Sequence, residues 1–236
     1  RRVFRSPSDT AYVLRMFKET VDYKFKRARQ VSQNKLSFGY EGDGKAMQVK
    51  LLSEAPENFT SILTKEKGKD TLNYWYRPKL EVDSLIFEVT HLQSIDTVVV
   101  RIKDSKSDSL VFKSESSQLK LLEPYKLSAT IPLDSIDESK VRVRDKDSLF
   151  QGASMVLDSF SNMVDLNFDK TEKNTYNIQI LPGAFIDFYG AQNDTLNFKA
   201  TTKLASDYGN LRINIRNGAY PLVVQVTDLK GVVVES

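Results

Sequence analysis

The chain has 236 residues, 40% of them apolar, with a formal net charge of +3, no cysteine and one histidine. The absence of cysteine excludes disulfides, thiol nucleophiles and zinc–thiolate sites, and a single histidine, His91, excludes metal sites that need two histidines. A net charge this small, without a recognition motif, argues against nucleic-acid binding, and no apolar run of about 18 residues predicts a membrane-spanning helix.

Alternating apolar and polar residues recur along the whole chain. This period of two predicts short strands near residues 12–17, 35–40, 47–51, 72–76, 85–89, 98–102, 110–112, 131–137, 141–144, 164–168, 176–180, 196–200, 211–215 and 222–226. No segment of ten or more residues sustains the helical period. The sequence therefore predicts an all-β protein.

Positive charge is concentrated near the start of the chain. Residues 1–29 contain nine Lys or Arg and three acidic residues, a balance of +6, which leaves −3 for the remainder. Lys24, Lys26, Arg27 and Arg29 are predicted to lie on one strand. They form either a contact surface for an anionic partner or a solvated edge whose charges prevent strand pairing.

An Asp followed by Ser or Thr and then by an apolar residue occurs repeatedly. These tripeptides begin at Asp70, Asp83, Asp96, Asp108, Asp134, Asp147, Asp158 and Asp194. An Asp carboxylate can accept hydrogen bonds from nearby backbone N–H groups and close a turn. We therefore interpret the tripeptides as turns that precede strands.

The predicted strands group into consecutive domains. Residues 1–18 are expected to end a preceding β domain, residues 19–117 to form a β-sandwich and residues 118–203 an Ig-like sandwich. Residues 204–236 are expected to begin a third β domain, because about 30 residues are too few to bury a core of their own. The predicted fold is thus tandem Ig-like β-sandwiches with the start of a third β domain.

Several segments of the second half resemble a known family. They are PLDSIDESKV at 132–141, LPGAFIDFYG at 181–190, NDTL at 193–196 and DYGNL at 207–211. In this order they resemble the Ig-like-domain lipoproteins of Bacteroidota, whose Ig modules are similar to the SbsA type of bacterial S-layer protein. YVLRMF at 12–17, KRARQ at 26–30 and DTLNYW at 70–75 agree with that order.

The resemblance implies a protein of the outer membrane or cell surface, held by a lipid anchor outside this part of a longer protein. It also implies no catalytic residues. Membrane attachment is expected only through that anchor.

The acidic residues could serve turn closure, catalysis or calcium binding. Turn closure explains the repeated Asp residues without catalysis. Possible calcium ligands are Asp104, Asp108, Asp145, Asp147 and the turn of Glu41 and Asp43. None of them forms an EF-hand loop, so a structural role is the favoured interpretation.

The Tyr74–Trp75–Tyr76 cluster offers two interpretations. Trp75 is either an exposed platform for a sugar or a side chain packed between sheets or under a loop. An exposed Trp75 would favour glycan binding, and a buried Trp75 would argue against it. His91 is expected to be structural because it shares a strand face with Leu85, Phe87 and Val89.

These observations predict a non-catalytic protein without cofactors, acting as an accessory or scaffold subunit of an outer-membrane assembly or export complex. The predicted contact residues for a protein partner are Lys24, Lys26, Arg27, Arg29 and Trp75. The alternative is a glycan-binding module of a cell-surface uptake system.

Overall fold

The structure is a computed structural model that describes residues 21–92, 94–207, 214, 225–228 and 232–235. Among these residues the chain forms strands and two short 3-10 turns, and none of its helices has the length and hydropathy of a membrane span. The prediction of an all-β fold is confirmed.

The first sandwich consists of seven strands. They are β1 (Lys24–Ser32), β2 (Lys35–Glu41), β3 (Gln48–Leu51), β4 (Thr60–Lys65), β5 (Thr71–Arg77), β6 (Ser84–His91) and β7 (Ser94–Arg101). One sheet has the order β1-β2-β5-β4 and the other the order β3-β6-β7. Four strands facing three in this order is the arrangement of a constant-type immunoglobulin domain.

The second sandwich repeats this plan with additions. Its strands are β8 (Phe112–Ser114), β9 (Gln118–Leu119), β10 (Tyr125–Ala129), β11 (Leu133–Ile136), β12 (Val141–Arg144), β13 (Phe150–Gln151), β14 (Ala153–Asp158), β15 (Met163–Phe168), β16 (Thr175–Ile180), β17 (Phe185–Asp187) and β18 (Leu196–Thr202). The sheets have the orders β14-β15-β10-β8 and β13-β12-β16-β18-β9, and β11 pairs with β17. The first strand of the domain is split, because β8 joins one sheet and β9 runs parallel to β18 in the other.

Each sandwich has its own core, built from the inward residues of its strands. In β6 the residues Leu85, Phe87, Val89 and His91 are buried, as the alternation predicted. His91 stacks on the ring of Tyr23 with 3.7 Å between ring centroids, which places it in a structural role. Each fully buried aliphatic or aromatic side chain of this kind contributes about 1.5–3 kcal/mol of transfer free energy.

The connection between the sandwiches spans residues 102–111. Strand β8 pairs with β10 inside the second sandwich, so the predicted boundary between residues 117 and 118 falls within that domain. The boundary was predicted too late in the chain because β8 has only three residues and is followed by polar residues, so it shows little alternation of apolar and polar positions.

Residues 204–236 form a separate unit. Its described elements are a 3-10 turn at Ala205–Asp207 and the pair β19 (Val226–Thr227) and β20 (Val233–Glu235). Three earlier predictions lie outside the described residues. They are the strand at 12–17, most of the strands at 211–215 and 222–226, and the domain end assigned to 1–18.

The Asp tripeptides mark strand starts only in part. Asp70 and Asp83 directly precede β5 and β6, whereas Asp96 and Asp134 lie inside β7 and β11. At Asp158 the predicted chemistry is present, because its carboxylate accepts the N–H groups of Phe160 at 3.0 Å and Ser161 at 3.2 Å. The tripeptide thus predicts a turn at some sites, and strand pairing overrides it at others.

Candidate functional site

A β-bulge brings the four predicted cations of β1 to the surface. Phe25 pairs with Tyr40 and Arg27 pairs with Gly39, so Lys26 is the extra residue between them. In a regular strand Lys24 and Arg27 would point to opposite faces, because side chains alternate. With the bulge, Lys24, Lys26, Arg27 and Arg29 are all exposed, and we call these four residues the basic strand face.

The basic strand face is only partly neutralised by its neighbours. Lys26 forms an ion pair with Glu41 on β2, and its hydrogen bond holds the pKa of the Glu41 carboxyl below its usual range. The Arg29 Nε–H donates to the Ser37 hydroxyl at 3.4 Å. Among the described residues, Lys24 and Arg27 have no ion-pair partner within 4.0 Å, and β1 is an edge strand of its sheet.

Trp75 lies in a different place, between the two sandwiches. It points away from the core that contains Tyr74 and Tyr76, yet its side chain is only 2% exposed. The ring packs against Ile131 and Phe188 of the second sandwich. Strand β5 is therefore covered on both faces, on one by its own core and on the other by the neighbouring domain.

Polar contacts around Trp75 hold its ring in position. The indole N–H donates to the Thr64 hydroxyl at 3.0 Å, and the Lys35 ammonium lies 4.5 Å from the ring centroid. The Arg77 guanidinium stacks 4.5 Å from the centre of the Phe188 ring and donates to the Phe188 carbonyl. We call Trp75, Arg77, Ile131, Phe188 and Tyr189 the joint.

The turn after β17 presents its two aromatic residues to the first sandwich. The Asp187 carboxylate accepts the N–H groups of Tyr189 at 2.8 Å and Ala191 at 2.9 Å, which fixes the turn. The Tyr189 hydroxyl then donates to the Asn34 carbonyl at 3.1 Å. Burial is the main reason why the pKa of Tyr189 is raised, and the nearby Asp108 carboxylate adds to it.

Asn162 holds the loop that supplies Ile131. Its side-chain amide donates to the Ala129 carbonyl at 2.8 Å and the Ile131 carbonyl at 2.9 Å, and its oxygen accepts the Leu133 N–H at 3.1 Å. Asn162 is buried and has a φ of 52°, a left-handed conformation that Asn tolerates better than most residues. The loop that brings Ile131 to the joint is thus held by one buried polar residue.

The predicted contact residues do not form one site. The four cations lie exposed on β1, while Trp75 is enclosed in the joint and offers no free ring to a partner or sugar. Its burial removes the aromatic platform on which the glycan alternative depended. Phe188, from the turn after β17, packs across the domain boundary.

The acidic residues named above as possible calcium ligands have local structural roles or lie apart. The Asp145 carboxylate accepts the N–H groups of Asp147 and Leu149, both at 2.9 Å, and the Gln151 amide at 3.3 Å. Within the part of the chain that the structure describes, no three His, Asp or Glu side chains converge as a metal site would require.

The strand orders define the class of the chain: two immunoglobulin-like sandwiches in tandem. No protein family matches its sequence, and no curated protein matches it. Similar solved structures include domains 5–6 of the S-layer protein SbsC, with 9% identity, 78% of this chain and 100% of that chain covered, and a TM-score of 0.30.

Two bacterial adhesins are also similar in structure. The Escherichia coli adhesin FdeC has 8% identity and a TM-score of 0.24 over 77% of this chain and 63% of that chain. The Yersinia pseudotuberculosis adhesin InvE has 10% identity and a TM-score of 0.20 over 77% of this chain and 59% of that chain. At such low values these similarities carry no functional argument, and the relation to Bacteroidota lipoproteins stays a prediction.

Proposed function

We propose that the chain is a non-catalytic scaffold segment of a surface protein, which binds a protein partner through the basic strand face. The observation that supports this most is the bulge at Lys26, which places four cations on the exposed side of β1, an edge strand of the described sheet. An anionic partner surface would be attracted to these charges, and electrostatic attraction of this kind raises the association rate. The partner is expected within an outer-membrane assembly.

The joint supports the scaffold part of the proposal. Three apolar side chains, Trp75, Ile131 and Phe188, are withdrawn from water at the contact between domains. A contact of this kind limits the hinge motion that two sandwiches on a simple linker would have. The two domains would then present the basic strand face in a constant orientation.

The location is proposed from the sequence motifs. LPGAFIDFYG at 181–190 and the segments around it resemble surface lipoproteins, so we place the chain at the outer membrane or cell surface with a lipid anchor elsewhere in the protein. The full-length protein is expected to fractionate with the envelope membranes. Detergent extraction, or lipase or protease treatment, would then release it from them.

A charge-reversal experiment tests the partner surface. Full-length protein carrying Lys24→Glu and Arg27→Glu is compared with wild type in affinity purification from solubilised membranes. The matched control carries Lys45→Glu and Lys50→Glu, which change the same charge at exposed positions away from β1.

We expect wild type and control to retain a stoichiometric partner that the β1 variant loses. Recovery of no stoichiometric partner by wild type contradicts the scaffold proposal. Equal recovery by all three proteins contradicts the assignment of the basic strand face.

A further inference from the structure

A second cationic surface lies on the outer face of the five-stranded sheet of the second sandwich. Its strands β12, β16 and β18 align two rows of polar residues, of which one is Arg142, Gln179 and Asn197 and the other is Arg144, Asn177 and Lys199. We call these six residues the amide–arginine face. They line an open cavity of about 330 Å³.

The register of the sheet explains why these residues share one face. The residues between them along each strand, such as Val143 and Ile178, are buried in the core of the sandwich. Side chains alternate, so the intervening positions point outward together. No segment of the sequence shows this surface, because its two rows combine residues more than 50 positions apart.

The charge of this surface is uncompensated. No acidic residue lines the cavity, and Arg142, Arg144 and Lys199 make no ion pair with any described residue within 4.0 Å. This differs from the basic strand face, where Lys26 is paired with Glu41. Three unpaired cations on one sheet face favour an anionic ligand.

The spacing of the cations fits an extended ligand better than a single small anion. Arg142 and Arg144 are two residues apart on one strand, which separates their Cα atoms by about 7 Å. Lys199 lies two strands away, at about 10 Å from Arg144. A chain with repeated negative groups can reach all three.

The neutral side chains indicate the chemistry between those negative groups. Asn177, Gln179 and Asn197 carry both donors and acceptors. Among the described residues, the one hydrogen bond of these three side chains runs from Gln179 Nε2 to Asn197 Oδ1 at 3.3 Å. Amides that can both donate and accept match hydroxyl groups, which do the same.

The edge of the face carries one exposed ring. Phe150 on β13 is 63% exposed, and the Arg144 guanidinium lies 4.5 Å from its ring centroid. A protein partner usually inserts into several aromatic or aliphatic anchors at the centre of its interface. Two apolar residues also line the cavity, but Ile178 is 1% exposed and Phe198 packs against the core of the sandwich. Neither is an exposed anchor, so a sugar chain fits the face better than a protein.

We infer that the amide–arginine face binds an anionic oligosaccharide, with the two arginines and Lys199 on carboxylate or sulfate groups and the amides on hydroxyls. Guanidinium groups form paired hydrogen bonds with such planar anions. This proposal is independent of the protein-binding role of β1. It also moves glycan recognition from Trp75, where the sequence suggested it, to a sheet face in the other domain.

The test is calorimetric titration of the whole chain with three probes. They are a set of uronate and sulfated oligosaccharides, neutral oligosaccharides of equal length, and a poly-glutamate peptide matched in charge. We expect at least one anionic sugar to bind, and to shift backbone NMR signals of β12, β16 and β18. No binding by any anionic sugar overturns the proposal, and so does equal or tighter binding of poly-glutamate.

Two variants separate specific binding from general attraction. Arg142→Gln with Arg144→Gln should weaken sugar binding by about tenfold or more, because charge-assisted hydrogen bonds are lost. The control, Lys45→Gln with Lys50→Gln, removes the same charge at exposed positions outside both proposed surfaces and should leave binding nearly unchanged. Asn177→Ala alters no charge and should also weaken binding, and equal effects of the two charge variants would overturn the assignment.

Discussion

Phe188→Ala is expected to open the joint while both sandwiches stay folded. Phe188 is 3% exposed and contacts Trp75 and Ile131, but it belongs to neither of the two main cores. Truncating a buried Phe to Ala typically costs about 3–5 kcal/mol. The lower end applies here because a domain contact can relax, and about 3 kcal/mol lowers the docking equilibrium constant roughly 100-fold.

Trp75 reports this change directly, since it is the only tryptophan in the chain. In the wild type its buried ring should emit at short wavelength and resist quenching by acrylamide. In Phe188→Ala the emission should shift to longer wavelength and quenching should increase, while the far-ultraviolet circular dichroism stays unchanged. Phe150→Ala, which removes a ring that is 63% exposed, is the matched control and should change neither signal.

Two results would refute this reasoning. If Trp75 remains shielded in Phe188→Ala, the apolar cluster of Trp75, Ile131 and Phe188 does not hold the domains together. If the variant instead loses its β-sheet signal in the same transition as its fluorescence shift, the sandwiches fold as one cooperative unit, and the joint is part of a common core.

Three further predictions concern turns. Asn162→Ala should lower the free energy of unfolding by about 2–3 kcal/mol, because two buried hydrogen bonds and one part-buried hydrogen bond are lost. Asn162→Gly should be milder by about 1 kcal/mol, because glycine accepts the positive φ. Denaturant titration measures both changes. Gly42→Ala should lower the free energy of unfolding by about 2 kcal/mol, because the new Cβ would lie 2.5 Å from the Val21 carbonyl. Gly68 has a φ of 67° but open space around it, so Gly68→Ala should lower the free energy of unfolding less in the same titration. The Ser161 hydroxyl is the main reason why the pKa of Asp158 is lowered, so the stabilisation that this carboxylate provides is present above the unfolded pKa of about 3.9 and is lost as the pH falls through the folded pKa. Asp158→Asn should therefore reduce the unfolding free energy more at about pH 6 than at about pH 2.5. An equal reduction at both pH values would exclude the carboxylate as the cause.

Much of the fold could be predicted because alternation is a local property. Leu85, Phe87, Val89 and His91 show their buried face in the sequence, and β6 has that face in the structure. What alternation does not give is the material that covers the opposite face. Trp75 occupies an outward position of β5, and only the second sandwich, which arrives from residues far along the chain, buries it.

A signal for that burial was nevertheless present. Leu72, Tyr74 and Tyr76 fill one phase of β5 with apolar residues, and Trp75 places a large ring in the other phase. A strand that is apolar in both phases is typical of burial on both faces. The bulge had a similar signal, because Lys24 and Lys26 lie in one phase and Arg27 and Arg29 in the other, yet all four needed solvent.

The amide–arginine face carried no comparable signal, because it exists only through strand register. Shifting β18 by one residue against β16 would turn Asn197 and Lys199 into the core and separate them from Asn177 and Gln179. The register is held at the connection between these strands, where buried Asn193 accepts the Phe185 N–H at 2.7 Å and donates to the Leu181 carbonyl at 3.0 Å. A buried amide in a turn therefore decides which charged residues meet on the surface. In a β protein of this kind, a functional face depends as much on the polar residues that fix its turns as on the residues that would touch the ligand.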